Sequence, residues 1–149
     1  FTIVINGLVV KKAAVQINFA REDSDGIKVA GILSVPEGFV AEETEVIFDF
    51  GGFQARGTMD AKGKAATENF KFALKVPKTI PEGGGTASFK AAVSKADAAG
   101  DLEDDGLTNA DTDGTRVQVP VTVTLDGKDH QGTAFGIWKA RKNVKGAMK

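Results

Sequence analysis

The sequence predicts an all-β fold: an antiparallel β-sandwich, or a barrel-like closure of the same sheet, built from two similar halves of about 75 residues with at most one short helix. Three observations predict it. Apolar and polar residues alternate through most of the chain, glycine-rich pairs separate the alternating runs, and two hairpins align with each other without a gap.

The first segment, "FTIVINGLVV", carries apolar side chains on both faces, with Phe1, Ile3, Ile5 and Val9 against Val4, Leu8 and Val10. Such a strand suits a place covered on both sides. It either pairs within its own sheet or inserts into a neighbouring subunit as a donor strand. "AVQINFA" follows with Val15, Ile17 and Phe19 on one face, and "ENFKFALKV" repeats the period of two with Phe70, Phe72, Leu74 and Val76. Further strands are predicted near residues 27–35, 44–50, 53–59, 86–94 and 131–140.

"FDFGGFQARGT" reads as a hairpin whose Gly51-Gly52 takes the positive φ angles of a primed turn, and Asp126-Gly127 has the same part in "TLDGKDHQGT". In "RVQVPVTVTL" the inward set is Val117, Val119, Val121, Val123 and Leu125. Pro120 has no amide hydrogen, which predicts an edge strand or a bulge there. The one short helix is expected around "KADAAGDLEDDGL".

The two hairpins coincide at an offset of 75, Val46–Thr58 over Val121–Thr133, and the earlier strands match at 74, with Val15, Ile17 and Phe19 over Phe89, Ala91 and Val93. This predicts a single domain over residues 1–149 with pseudo-repeats at about 13–76 and 86–140, and a basic tail at 141–149. The acidic segment would then replace, in the second half, the strand "IKVAGILSV" of the first.

A chain of 149 residues buries about 70% of the surface its unfolded form exposes, so it needs no metal or disulfide merely to fold. There is no cysteine, which removes thiol nucleophiles, Cys-zinc sites and disulfide scaffolds together. No apolar run reaches the roughly 20 residues of a membrane span, so no membrane insertion is expected. Net charge is −1, giving no general attraction to nucleic acid. The charge is unevenly placed: residues 97–113 hold seven acids and no base, and residues 139–149 hold five bases and no acid. The chain starts at Phe1, as a processed chain or a piece of a longer one would, and a mature chain would have lost a signal peptide.

Chemistry concentrates in "LTNADTDGTRVQVPVTV". Asn109, Asp111, Asp113 and Gly114 occupy positions 1, 3, 5 and 6 of a calcium loop, but position 12 is Pro120, which offers no side-chain oxygen, and the loop leads into a strand. An EF-hand is excluded. Two readings stay open: a looser calcium site completed by Glu103, Asp104 or Asp105, or a plain turn of Asn, Asp and Gly. Calcium is the one cofactor the sequence suggests.

His130 is the only histidine and is expected as a solvated turn residue. Trp138 is the only tryptophan and tyrosine is absent, so stacking on sugars would rest on phenylalanines, of which Phe39 and Phe53 lie outside the inward pattern. The basic tail lacks the aromatic interleaving of a nucleic-acid site. "GGG" at 83–85 is followed by no phosphate-binding Lys-Ser/Thr.

"AVQINFA", "VPEGF", "GTMDAKGK", "DGLTNADTDG", "VPVTVTLDG" and the Lys/Gly-rich end resemble small β-rich domains near the C-termini of long secreted proteins of environmental bacteria, over most of residues 13–149. The resemblance implies a location and an architecture, with no activity and no site residues. Together these readings predict a non-enzymatic extracellular or cell-surface structural module. If the strand holding Phe1, Ile3, Val4, Ile5, Leu8, Val9 and Val10 is exchanged between subunits, the module would be a homo-oligomer or polymer; if it pairs within its own sheet, it is an ordinary internal strand. A calcium-dependent secreted binding module is the alternative.

Overall fold

A computed structural model describes residues 7–149. Ten strands run β1 Leu8–Asn18, β2 Asp25–Val35, β3 Glu45–Phe50, β4 Phe53–Thr58, β5 Lys64–Ala66, β6 Phe70–Lys75, β7 Gly85–Ala96, β8 Thr112–Leu125, β9 Lys128–Arg141 and β10 Lys145–Met148. One short helix, α1 Ala99–Leu102, continues into a 3-10 turn at Glu103–Asp105. It falls where the sequence places it.

All ten strands form one antiparallel sheet in the order β4-β3-β8-β9-β10-β1-β2-β7-β6-β5. The two end strands, β4 and β5, come together and nearly close the sheet into a barrel, with Gly57 of β4 against Ala65 of β5. The two end strands are short, three residues in β5 and six in β4, which limits the unpaired backbone that these ends of the sheet present to other chains. No helix among the described residues is long and apolar enough to cross a membrane.

Alternation is what fills the barrel. Phe48 and Phe50 of β3, Phe70 and Phe72 of β6 and Phe89 of β7 are buried, and their rings follow one another at centroid distances of 6.0 to 6.3 Å. Phe48 and Phe70 stack across the seam between β3 and β6, which share no ladder. Side-chain packing therefore continues the ring where hydrogen bonds do not.

Both hairpins have the predicted turns: Gly51 and Gly52 have φ of 60° and 102°, and Asp126 and Gly127 have 51° and 76°. The strands they join lie side by side, β3 against β8. The ring order is unchanged when β1–β5 exchange places with β6–β10. In that exchange β1 corresponds to β6 and β2 to β7. The alignment of Val15 with Phe89 therefore does not follow the ring, and β7 occupies the place equivalent to β2. The acidic segment lies in the loop between β7 and β8, where the first half has the loop between β2 and β3, and replaces no strand.

Two further expectations are corrected. β8 is an interior strand, between β3 and β9. Its Pro120 is tolerated because its carbonyl, on the same side as its ring nitrogen, meets the Gly51 amide at 2.9 Å, where β3 has ended and the hairpin turn begins. No ladder donor is needed there. The segment expected as a basic tail contains β10, which enters the ring between β9 and β1. Gly146 makes this fit, because the Trp138 indole occupies the space a Cβ would fill.

The acidic segment plugs one end of the barrel. Ala98, Leu102 and Leu107 are buried while Asp97, Asp101, Glu103 and Asp104 face solvent. Asp25, buried at the start of β2, holds the plug: one carboxylate oxygen accepts the Asn18 amide at 2.8 Å and the other the Ala98 amide at 2.9 Å. The Trp138 indole donates to the Thr108 carbonyl at 3.2 Å on the far side.

Candidate functional site

The calcium candidates hold a turn in place. Asn109 Oδ1 accepts the Asn143 amide at 2.6 Å and its Nδ2 donates to Asn143 Oδ1 at 2.9 Å, while Asp111 Oδ1 accepts the Lys142 amide at 2.9 Å. Both side chains thus clasp the β9–β10 turn. Asp113 lies exposed in β8, and no group of three acids or histidines among the described residues is arranged to hold a metal. Asn109 Oδ1 and Asp111 Oδ1 are thus each engaged by a backbone donor of that turn.

Of the strand-exchange candidates, Phe1, Ile3, Val4 and Ile5 lie outside the described residues. Leu8, Val9 and Val10 belong to β1 and pair with Leu33, Ile32 and Gly31 of β2 in the same chain. Leu8 is buried beside Gly132, Val10 packs on the core, and Val9 is 61% exposed. His130 is not the solvated turn residue expected. It is buried, and its Nδ1–H donates to the Val123 carbonyl at 3.1 Å across the β8–β9 ladder.

Two carboxyl groups are shifted. Asp105 in the plug is raised by burial, then by the nearby charges of Asp104 and Asp49. Asp60 is lowered chiefly by the amides of Lys64 and Lys62, which donate to its Oδ1 at 3.1 and 2.8 Å. Each belongs to a turn or plug.

The most ordered chemical feature is one that the sequence analysis missed. On the outer face of β1, β2, β7, β6 and β5 the ladders run Ala14, Lys28, Ala92, Lys71, Ala66 in one row and Lys12, Ala30, Lys90, Ala73, Lys64 in the next. Lysine and alanine alternate both across the strands and along them. All these lysines are exposed. The only acid in the five strands is Asp25, which is buried, and every base in them is lysine.

Two physical reasons favour this grid. Like charges directly opposite one another destabilise a sheet, and here every lysine faces alanine. Lysine stems also lie over the small alanines and carry their ammonium groups outward. Lysines in one row recur on every second strand, roughly 9.5 Å apart. Over β1, β2 and β7 the alanines lower the surface into an open trough of about 600 Å³, with Lys12, Lys28 and Lys90 along it and Phe135 and Lys149 at its rim. Phe135 is 69% exposed.

The signal was in the sequence as Lys-x-Ala, present in each of the five strands: "KAA" at 12 and 64, "KVA" at 28, "KFA" at 71 and "KAA" at 90. Only the registers bring the copies together. Compared with known proteins, the chain matches no family model, no curated protein and no solved structure.

Proposed function

We propose that this chain is a non-enzymatic structural module of the extracellular space or the cell surface, working through the outer faces of its barrel. The Lys/Ala grid carries this reading, because it sorts positive charge onto five neighbouring strands and leaves the rest of the wall mixed in sign. The interior supports it as well: the two buried polar side chains among the described residues, Asp25 and His130, are both hydrogen-bonded to backbone.

Location tests the reading. Intact source cells treated with an amine-reactive reagent that cannot enter them should yield this protein modified on Lys12, Lys28 and Lys90, in the envelope or the medium. Recovery from the cell interior alone, unmodified, would overturn it.

A further inference from the structure

We infer that the lysine-walled trough over β1, β2 and β7 binds a linear acidic polysaccharide whose charges are carboxylates, an inference that rests on the surface-module reading above. The face is electrostatically of one sign, since Lys12, Lys28, Lys64, Lys71 and Lys90 stand on it and no exposed acid lies in its strands. An anionic partner is the complement.

Shape and residue type narrow the partner to a flexible chain of sugars. The face wraps across five strands of a barrel wall, so a flat anionic bilayer would touch only part of it, whereas a polymer can follow the trough. A charge recurring roughly every 9.5 Å along a row is of the order of one disaccharide repeat. The alanine floor offers small apolar contacts to the C–H faces of sugar rings, and exposed Phe135 at the rim gives one of them a ring to stack on.

Nucleic acid fits less well. Its phosphates favour the planar fork of arginine, which these strands lack, and single strands need successive aromatic platforms where the trough has one. The acidic plug of a second copy has the right charge, so self-association is one of the rival outcomes of the test.

Binding of the full chain to polygalacturonate at low ionic strength tests the inference. Neutral dextran, double-stranded DNA and phosphatidylglycerol vesicles serve as rival probes, and sedimentation of the protein alone reports self-association. Replacing Lys12, Lys28 and Lys90 together by Gln should weaken polygalacturonate binding by at least roughly ten-fold and flatten its salt dependence. Replacing Lys139, Lys142 and Lys145 by Gln changes net charge equally and should leave affinity within about two-fold. Phe135→Ala should weaken binding without changing the salt slope. All are exposed positions, and unchanged melting curves would show that the fold is kept.

Absence of polygalacturonate binding, equal loss in both triple variants, or tighter binding to DNA, vesicles or a second copy would each overturn the inference. A chain found at the cell surface that ignores polygalacturonate sinks the glycan and leaves the module. A chain confined to the cell interior sinks the module and, with it, this partner.

Discussion

Phe48 lies directly across the β3–β8 ladder from Val123, the residue 75 positions further along the chain. Val46 faces Leu125 and Phe50 faces Val121, so residues 75 apart exchange places on either side of this contact. Locally the pairing is two-fold symmetric. The two halves are joined by four ladders, β3–β8, β2–β7, β1–β10 and β5–β6.

Fragments 1–68 and 69–149 should therefore be poorly structured apart and should associate one-to-one when mixed, since each supplies the missing sides of the other's sheet. Far-ultraviolet circular dichroism and size-exclusion of the mixture check this. Two fragments that each fold alone as monomers would show that the ladders between them are dispensable.

The aromatic series across the barrel seam predicts that Phe72→Ala costs about 3 to 5 kcal/mol, by emptying a buried ring site between Phe70 and Phe89. Lys71→Ala, one residue away on the exposed face, should stay within about 0.5 kcal/mol. Denaturant titration of both variants separates inward from outward, and equal effects would mean that the strand faces the other way.

Asp111→Ala should destabilise the protein by about 1 kcal/mol through loss of the Lys142 amide acceptor. Millimolar calcium should leave the melting temperature of the unmodified protein unchanged. A rise with calcium that disappears in Asp111→Ala would instead make the loop an ion site, because a ligand of the folded state raises its stability by mass action.

For the N-terminal strand, Leu8→Ala should cost about 2 to 5 kcal/mol in a monomer, since Leu8 is buried in its own sheet. Sedimentation and thermal melting read the result together. A variant monomer as stable as the parent but unable to polymerise would assign the segment to exchange between subunits.

Asp105 contributes a pH dependence whose sign follows from its raised pKa, caused first by burial. A folded state that holds the proton more tightly than the unfolded chain gains stability at low pH and loses it as pH rises through the window from the ordinary carboxylate value to the raised one. Asp105→Asn should remove this decline. Melts across that window check it; an identical slope in the variant would assign the decline to other groups.

Local chemistry made much of the fold legible. The inward residues of β6 and β8 and the Gly51-Gly52 and Asp126-Gly127 turns are each dictated within a few residues, by a period of two or by a positive φ. β5 and β10 escaped because three or four residues are too short to display a period. His130 and Pro120 misled because burial and strand neighbours are decided by what lies across the sheet.

By itself, then, the sequence determined that the chain is all-β, which faces of its strands turn inward, and where the hairpins bend. Only the tertiary structure decided the ring order, the plugging of one barrel end by the acidic segment, and the gathering of five Lys-x-Ala runs into one surface. The physical reason is range: alternation and turn angles are set by adjacent residues, whereas register is set by pairing between strands far apart in the chain. A shift of one residue in any of those ladders would turn its lysines into the core.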